Sequence, residues 1–231
     1  MAMRITNEIL EAYLNCKTKG HLKLVGETGT KSDYAAMTEA VSRASREESL
    51  AGLVARYGEG NAYRGTAITA AMLKQGAPLL ADAIFEDDGV SIRIDALKRA
   101  DGASKLGEHH YLPVLYNYGG KVGRSRKLLL AVLGLVIGRV QGLRPTVGLV
   151  ARGSEAKLGR VGLDAKLYRK AEQVLEELGR ALSPSSSHTR TPTPAGRIVQ
   201  SVCVQAHLLG TSGHCRAFCK ASRAASHRPF R

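Results

Sequence analysis

The chain has 231 residues, 44% of them hydrophobic, with no tryptophan and a net charge of +14. That length suits one sizeable domain plus a tail, with a core resting on Leu, Val, Ile and Ala. The longest apolar run, "LLLAVLGLVI" at 128–137, is too short to span a bilayer, and the opening "MAMRITNEILEAYLNC" lacks the apolar centre of a signal peptide, so no membrane role is expected.

The elements follow in chain order. Residues 7–25 read as a helix with an apolar stripe of Ile9, Leu10, Tyr13, Leu14 and Leu24, capped by Thr6 or Asn7 and weakened by Gly20 and Gly26. Residues 33–57 read as a long helix opened by Ser32 or Asp33 and ended by Gly58. "TAITAAMLKQG" reads as a third helix, with Thr66 as cap and Gly76 as stop. The period then changes. "APLLADAIFEDDGVSIRIDALKR" reads as strand, turn and strand, with Asp87-Asp88-Gly89 as the hairpin turn. Alternation places Ile92 and Ile94 on one face and Arg93, Asp95 and Leu97 on the other. "GASKLG" is a loop, and "HHYLPVLYNY" at 109–118 is a further strand that Pro113 assigns to a sheet edge or a bulge.

A helix buried on most sides follows from about Arg124 to Gln141, then strands in "RPTVGLVAR" and "KLGRVGL". "DAKLYRKAEQVLEELGRAL" is an amphipathic helix capped by Asp164, with Leu167, Val174, Leu175 and Leu178 facing inward. After Leu182 the composition breaks into "SPSSSHTRTPTPAG", so residues 1–180 are expected to form the domain and 181–231 a linker and poorly ordered basic tail.

Charge is unevenly spread. Residues 1–120 hold 14 Lys and Arg against 15 Asp and Glu, residues 121–170 hold 12 against 2, and residues 181–231 hold 7 against none. A basic block inside a periodic region points to a polyanion partner, with a solvated basic surface or an acidic protein partner as the alternatives. The candidate phosphate contacts within it are Lys121, Arg124, Arg126, Lys127, Arg144, Arg152, Lys157 and Arg160. The first four flank a helix start, where free backbone N–H groups favour anions. They are suited to phosphate contact and show no base-reading signature.

Four stretches carry a family resemblance: "ITNEILEAYLNCKTKGHLKL", "RIDALKR", "HHYLPVLYNYGGKVGRSRKLLLAVLGLVIGRVQG" and "RPTVGLVARGSEAKLGRVGL". Together with the order helices, three antiparallel strands, helix, strand, strand, helix, they resemble a RecB-like nuclease domain of the PD-(D/E)xK superfamily. The likeness is greatest to the RecB-family nuclease domains at the front of some bacterial helicase-like proteins. It implies an α/β, restriction-endonuclease-like core with a central mixed sheet, an antiparallel hairpin and flanking helices. It also implies a cytoplasmic protein of DNA repair or recombination, DNA and a helicase as partners, and phosphodiester hydrolysis with Mg²⁺ or Mn²⁺.

Such chemistry needs hard oxygen ligands around a Lewis-acidic ion that activates water. By the resemblance, Asp95 is the first carboxylate, and an acid-x-Lys triplet should face it from the next strand. The facing residues are instead near Pro113, Val114, Leu115 and Tyr116, and Glu108 lies about half a strand too early. A second ligand is then expected from Glu108 or from Glu47 and Glu48 on the long helix, where such enzymes often place an extra ligand. The alternative is that Asp95 pairs with Arg93 or faces solvent. The resemblance also implies a [4Fe–4S] cluster on Cys16, Cys203, Cys215 and Cys219, whose spacing departs from the family's tight trio; free thiols, or zinc on Cys203, His207, Cys215 and Cys219, are the alternatives. Three readings stay open: a metal-dependent nuclease, a degenerate DNA-binding or helicase-partner module, and a truncated product of a larger helicase-nuclease.

Overall fold

The computed structural model describes residues 4–182, apart from 28, 59, 88 and 154. The elements are α1 (Asn7–Asn15), α2 (Lys17–Leu24), α3 (Asp33–Tyr57), β1 (Ala62–Arg64), α4 (Ala70–Lys74), β2 (Leu79–Asp87), β3 (Val90–Ser104), β4 (Gly107–Tyr116), α5 (Arg124–Gln141), β5 (Val147–Arg152), β6 (Lys157–Gly162) and α6 (Ala165–Leu182). The fold is α/β: among the described residues one six-stranded mixed sheet runs in the order β1-β2-β3-β4-β5-β6, flanked by helices. Strands β2, β3 and β4 form an antiparallel meander. Helix α5 then carries the chain to β5, parallel to β4, and β6 closes the edge antiparallel to β5.

The sheet has two cores. On one face, Leu80, Ile92, Ile94, Leu97, Tyr111, Leu115 and Val150 pack with α1, α2, α5 and α6. On the other, Leu79, Ala96, Val114, Tyr116, Leu149 and Ala151 pack with Leu53 of α3. α3 is buried only in its second half, at Ser49, Leu50 and Leu53. Helix α5 is buried without a break from Leu129 to Gly138, which explains why its sequence is apolar all round.

Several elements differ from the sequence expectation. The first helix is two, because Cys16 is extended between α1 and α2. Thr6 caps α1 by accepting the Ile9 N–H, while Asn7 donates to the Arg93 carbonyl and accepts the Arg93 N–H, joining α1 to β3. The third helix is shorter than expected and is capped by Thr69, not Thr66. Residues 66–68 are spent on the sheet instead: the Ile84 N–H donates to the Thr66 carbonyl and the Ile68 N–H to the Ile84 carbonyl. Pro113 stands in an interior strand, one residue before the β4–β5 pairing begins at Val114, so its missing N–H breaks no bond of that ladder.

The alternation along β3 also fails. Leu97 joins Ile92 and Ile94 in one core, whereas Ala96 belongs to the other. The break falls at Asp95, and a matching break falls at Asp82 on β2. Pairing runs Ala81 with Ala96 and Ala83 with Ile94, leaving Asp82 and Asp95 between. Asp82 has φ +50, the left-handed region that Asp tolerates better than most residues.

Candidate functional site

The two irregular residues and one helix build a charged cluster at the centre of the sheet, beneath α3. Arg46 of α3 donates from Nε to Asp95 Oδ1 at 2.6 Å, from an Nη to Asp82 Oδ1 at 2.7 Å and from the other Nη to Glu47 Oε1 at 2.9 Å. Arg64 donates to Asp82 Oδ2 at 2.8 Å and also to Glu47. Arg93 donates to Asp82 Oδ1 at 3.1 Å. The remaining oxygen of Asp95 accepts the Tyr116 backbone N–H at 2.6 Å, and the Tyr116 hydroxyl meets Ser45 Oγ at 2.6 Å.

The electrostatics follow from that geometry. The Asp82 side chain is 2% exposed. Burial alone would raise its pKa; the hydrogen bonds from Arg46 and Arg64 and the charges around it outweigh burial and hold it below the ordinary value. Burial likewise works against the charge of Arg46, and Asp95 and Asp82 more than reverse it, so Arg46 is held more firmly charged than usual. Three guanidinium groups face three carboxylates, and the cluster is neutral as it stands.

This arrangement does not fit a divalent metal. Mg²⁺ requires anionic oxygens that are free to approach it. Here the place between Asp82 and Asp95 is taken by a guanidinium, and the residues of β4 nearest Asp95 are Val114, Leu115 and Tyr116. Among the described residues no group of three or more His, Cys, Asp or Glu could hold a metal ion. Glu108 does not join: β4 runs continuously from Gly107 to Tyr116, which leaves Glu108 exposed near its far end, roughly 20 Å along the strand from Leu115. Glu47 joins the cluster as an ion-pair partner of Arg46 and Arg64, and Glu48 is exposed. Asp95 neither faces solvent nor pairs with Arg93; its cation is Arg46. Cys16 is a free thiol, and Cys203, His207, Cys215 and Cys219 lie outside the described residues.

Sequence reasoning missed Asp82, Arg46 and Arg64. Asp82 carries the signal that marks Asp95, a short acid inside an apolar strand run, "LLADAIF". Nothing in the local pattern of α3 separates Arg46 from its neighbours.

The second site is basic. Gly119, Gly120, Lys121 and Val122 of the β4–α5 loop, Lys127 of α5, Arg152 of β5, and Arg160, Val161 and Gly162 of β6 line a cleft of about 640 Å³. The loop's course is set at its start: the Asn117 N–H donates to the Ala151 carbonyl and its side-chain amide to the Gly119 carbonyl. At the head of α5, Gly123 supplies no side-chain cap, so the first-turn N–H groups lack an intrahelical partner.

The cleft sorts the eight basic candidates. Lys121, Lys127, Arg152 and Arg160 converge on it and form no ion pair with any described residue. Arg124 is exposed at the first position of α5. Arg126 is paired with Glu11 at 2.9 Å, Arg144 with Glu172 at 2.9 Å and Lys157 with Glu155 at 3.0 Å. Arg144 instead borders a larger cavity of about 1090 Å³ between the β2–β3 hairpin, α5 and α6. The cations there are all matched, Arg4 by Glu86 and Arg139 by Asp87 as well, so that cavity offers an anion little.

No helix of the described residues is long and apolar enough to cross a membrane. Comparison with protein-family models finds no match, and comparison with curated proteins finds none either.

Proposed function

We propose that this chain is a non-cleaving, RecB-nuclease-like module that binds the phosphate backbone of DNA through the Lys121–Lys127–Arg152–Arg160 cleft. The observation that carries the binding is the convergence of four unpaired cations from the β4–α5 loop, α5, β5 and β6 on one cleft. Glycines at 119, 120 and 162 keep its walls low enough for backbone to approach a ligand. The meander β2–β3–β4, followed by α5 and a parallel β5, supports the restriction-endonuclease-like reading of the core. The cluster of Asp82, Asp95 and Glu47 supports the absence of cleavage, since its charge is already met by Arg46, Arg64 and Arg93.

The test joins binding to cleavage. DNA affinity should fall with rising salt, because each neutralised phosphate releases counterion, and replacing all four cleft cations with Ala should reduce the slope of log affinity against log salt by roughly 3. With Mg²⁺ or Mn²⁺ the DNA should stay intact. An unchanged slope in the fourfold variant would remove the cleft from the interface. Metal-dependent degradation that vanishes in Asp95→Asn would restore the nuclease reading. A helicase partner is compatible with the same module and is tested by co-purification of the two proteins with and without DNA.

A further inference from the structure

The basic residues form a point and not a track. Of the other cations of the 121–160 block, Arg126, Arg139, Arg144 and Lys157 are each paired with an acidic residue, and Arg124, which forms no ion pair with a described residue, stands at the head of α5, the helix that carries Lys127. A protein that follows a nucleic-acid backbone spreads its cations along the strand, because each internal phosphodiester carries one charge. Four cations around one cleft at an open helix start suit a locally concentrated anion instead. A terminal phosphomonoester is such an anion: it carries close to two negative charges at neutral pH and three acceptor oxygens.

We propose that the cleft formed by Lys121, Lys127, Arg152 and Arg160 takes the phosphorylated end of a nucleic-acid strand. This rests on the nucleic-acid reading above and narrows it from backbone to end. The monoester sits among the four side chains, each of which donates charge-assisted hydrogen bonds to its oxygens. The first-turn N–H groups of α5 add donors that need no side chain. The rest of the strand leaves the cleft and makes weaker contacts.

Equilibrium binding of the full-length protein to one short single-stranded DNA, prepared with a 5′-phosphate, with a 3′-phosphate and with both ends hydroxyl, tests this. One phosphorylated form should bind about tenfold more tightly than the hydroxyl form, the worth of one added charge-assisted hydrogen bond. The fourfold variant Lys121→Ala, Lys127→Ala, Arg152→Ala and Arg160→Ala should bind all three alike, with its circular dichroism and melting temperature unchanged because the four side chains are exposed. Should that variant misfold, reversing charge at Arg160 alone, as Arg160→Glu, should still reduce the preference for the phosphorylated end. Equal affinity of the wild-type protein for all three DNAs overturns the end-binding inference and leaves backbone binding standing. No binding to any of them overturns both. A nucleoside monophosphate that competes as well as the phosphorylated strand would make the ligand a free nucleotide and overturn the inference as well.

Discussion

Arg46 is the cation of the central cluster whose guanidinium serves Asp82, Asp95 and Glu47 together. Removing it leaves two largely buried carboxylates short of a cation. Arg46→Ala should therefore destabilise the fold by about 3–5 kcal/mol, read from urea denaturation. Asp95→Asn is gentler but not free. An amide can accept from only one of Arg46 Nε and the Tyr116 N–H, so one bond is lost, at about 1–3 kcal/mol. Asp82 sets an acid limit. Its folded pKa lies below that of an unfolded aspartate, so the stabilisation it brings is complete above about pH 4 and fades as pH falls through the folded value. The stability lost between pH 7 and pH 3 should be smaller in Asp82→Asn than in the wild-type protein; equal losses would place the acid sensitivity elsewhere.

The α5–α6 contact offers a close test of packing between elements. Gly134 lies mid-helix in α5, and a Cβ there would stand 2.6 Å from the Tyr168 hydroxyl of α6. That hydroxyl donates to the Pro145 carbonyl at 2.5 Å, and burial pushes its pKa up to about 12. Tyr168 cannot yield without losing its bond, so Gly134→Ala should cost about 1–3 kcal/mol despite the higher helix propensity of alanine. A neutral or stabilising result would show that α6 can shift. The helix starts were readable in sequence where the cap competes with nothing else, as at Ser32 and Asp164, whose side chains accept the Ala35 and Leu167 N–H groups. They were misread at Thr66, because the edge of β2 offers its backbone better partners than a helix turn does. The face assignment of β3 failed for a similar reason: a strict period of two assumes an unbroken ladder, and the ladder breaks between Asp82 and Asp95.

At the scale of the whole molecule, α6 ends at Leu182, where the sequence turns to a linker composition. Limited proteolysis should therefore accumulate a fragment ending close to that residue, identified by mass; equal protection of residues 183–231 would mean that they belong to the domain. The charge division has a whole-molecule consequence too. Of the cations at 121–160, the four of the cleft and Arg124 form no ion pair with a described residue, while Arg126, Arg139, Arg144 and Lys157 are spent on internal pairs. Binding should thus depend far more on Lys121 and Arg152 than on Arg126 and Arg144.

Taken alone, the sequence determined the helices α3, α5 and α6, the antiparallel β2–β3 hairpin, the basic block and the place of Asp95 as a short acid inside a strand. These follow from local period, turn residues and composition, which act over a few residues. That Asp95 pairs with Arg46 is visible only in the tertiary structure. A carboxylate's chemistry is set by the charges within a few ångströms of it, and the cation on Asp95 arrives from 49 positions away in the chain. The same holds for the cleft, where Lys121, Lys127, Arg152 and Arg160 meet only because α5 returns the chain to the sheet beside β4.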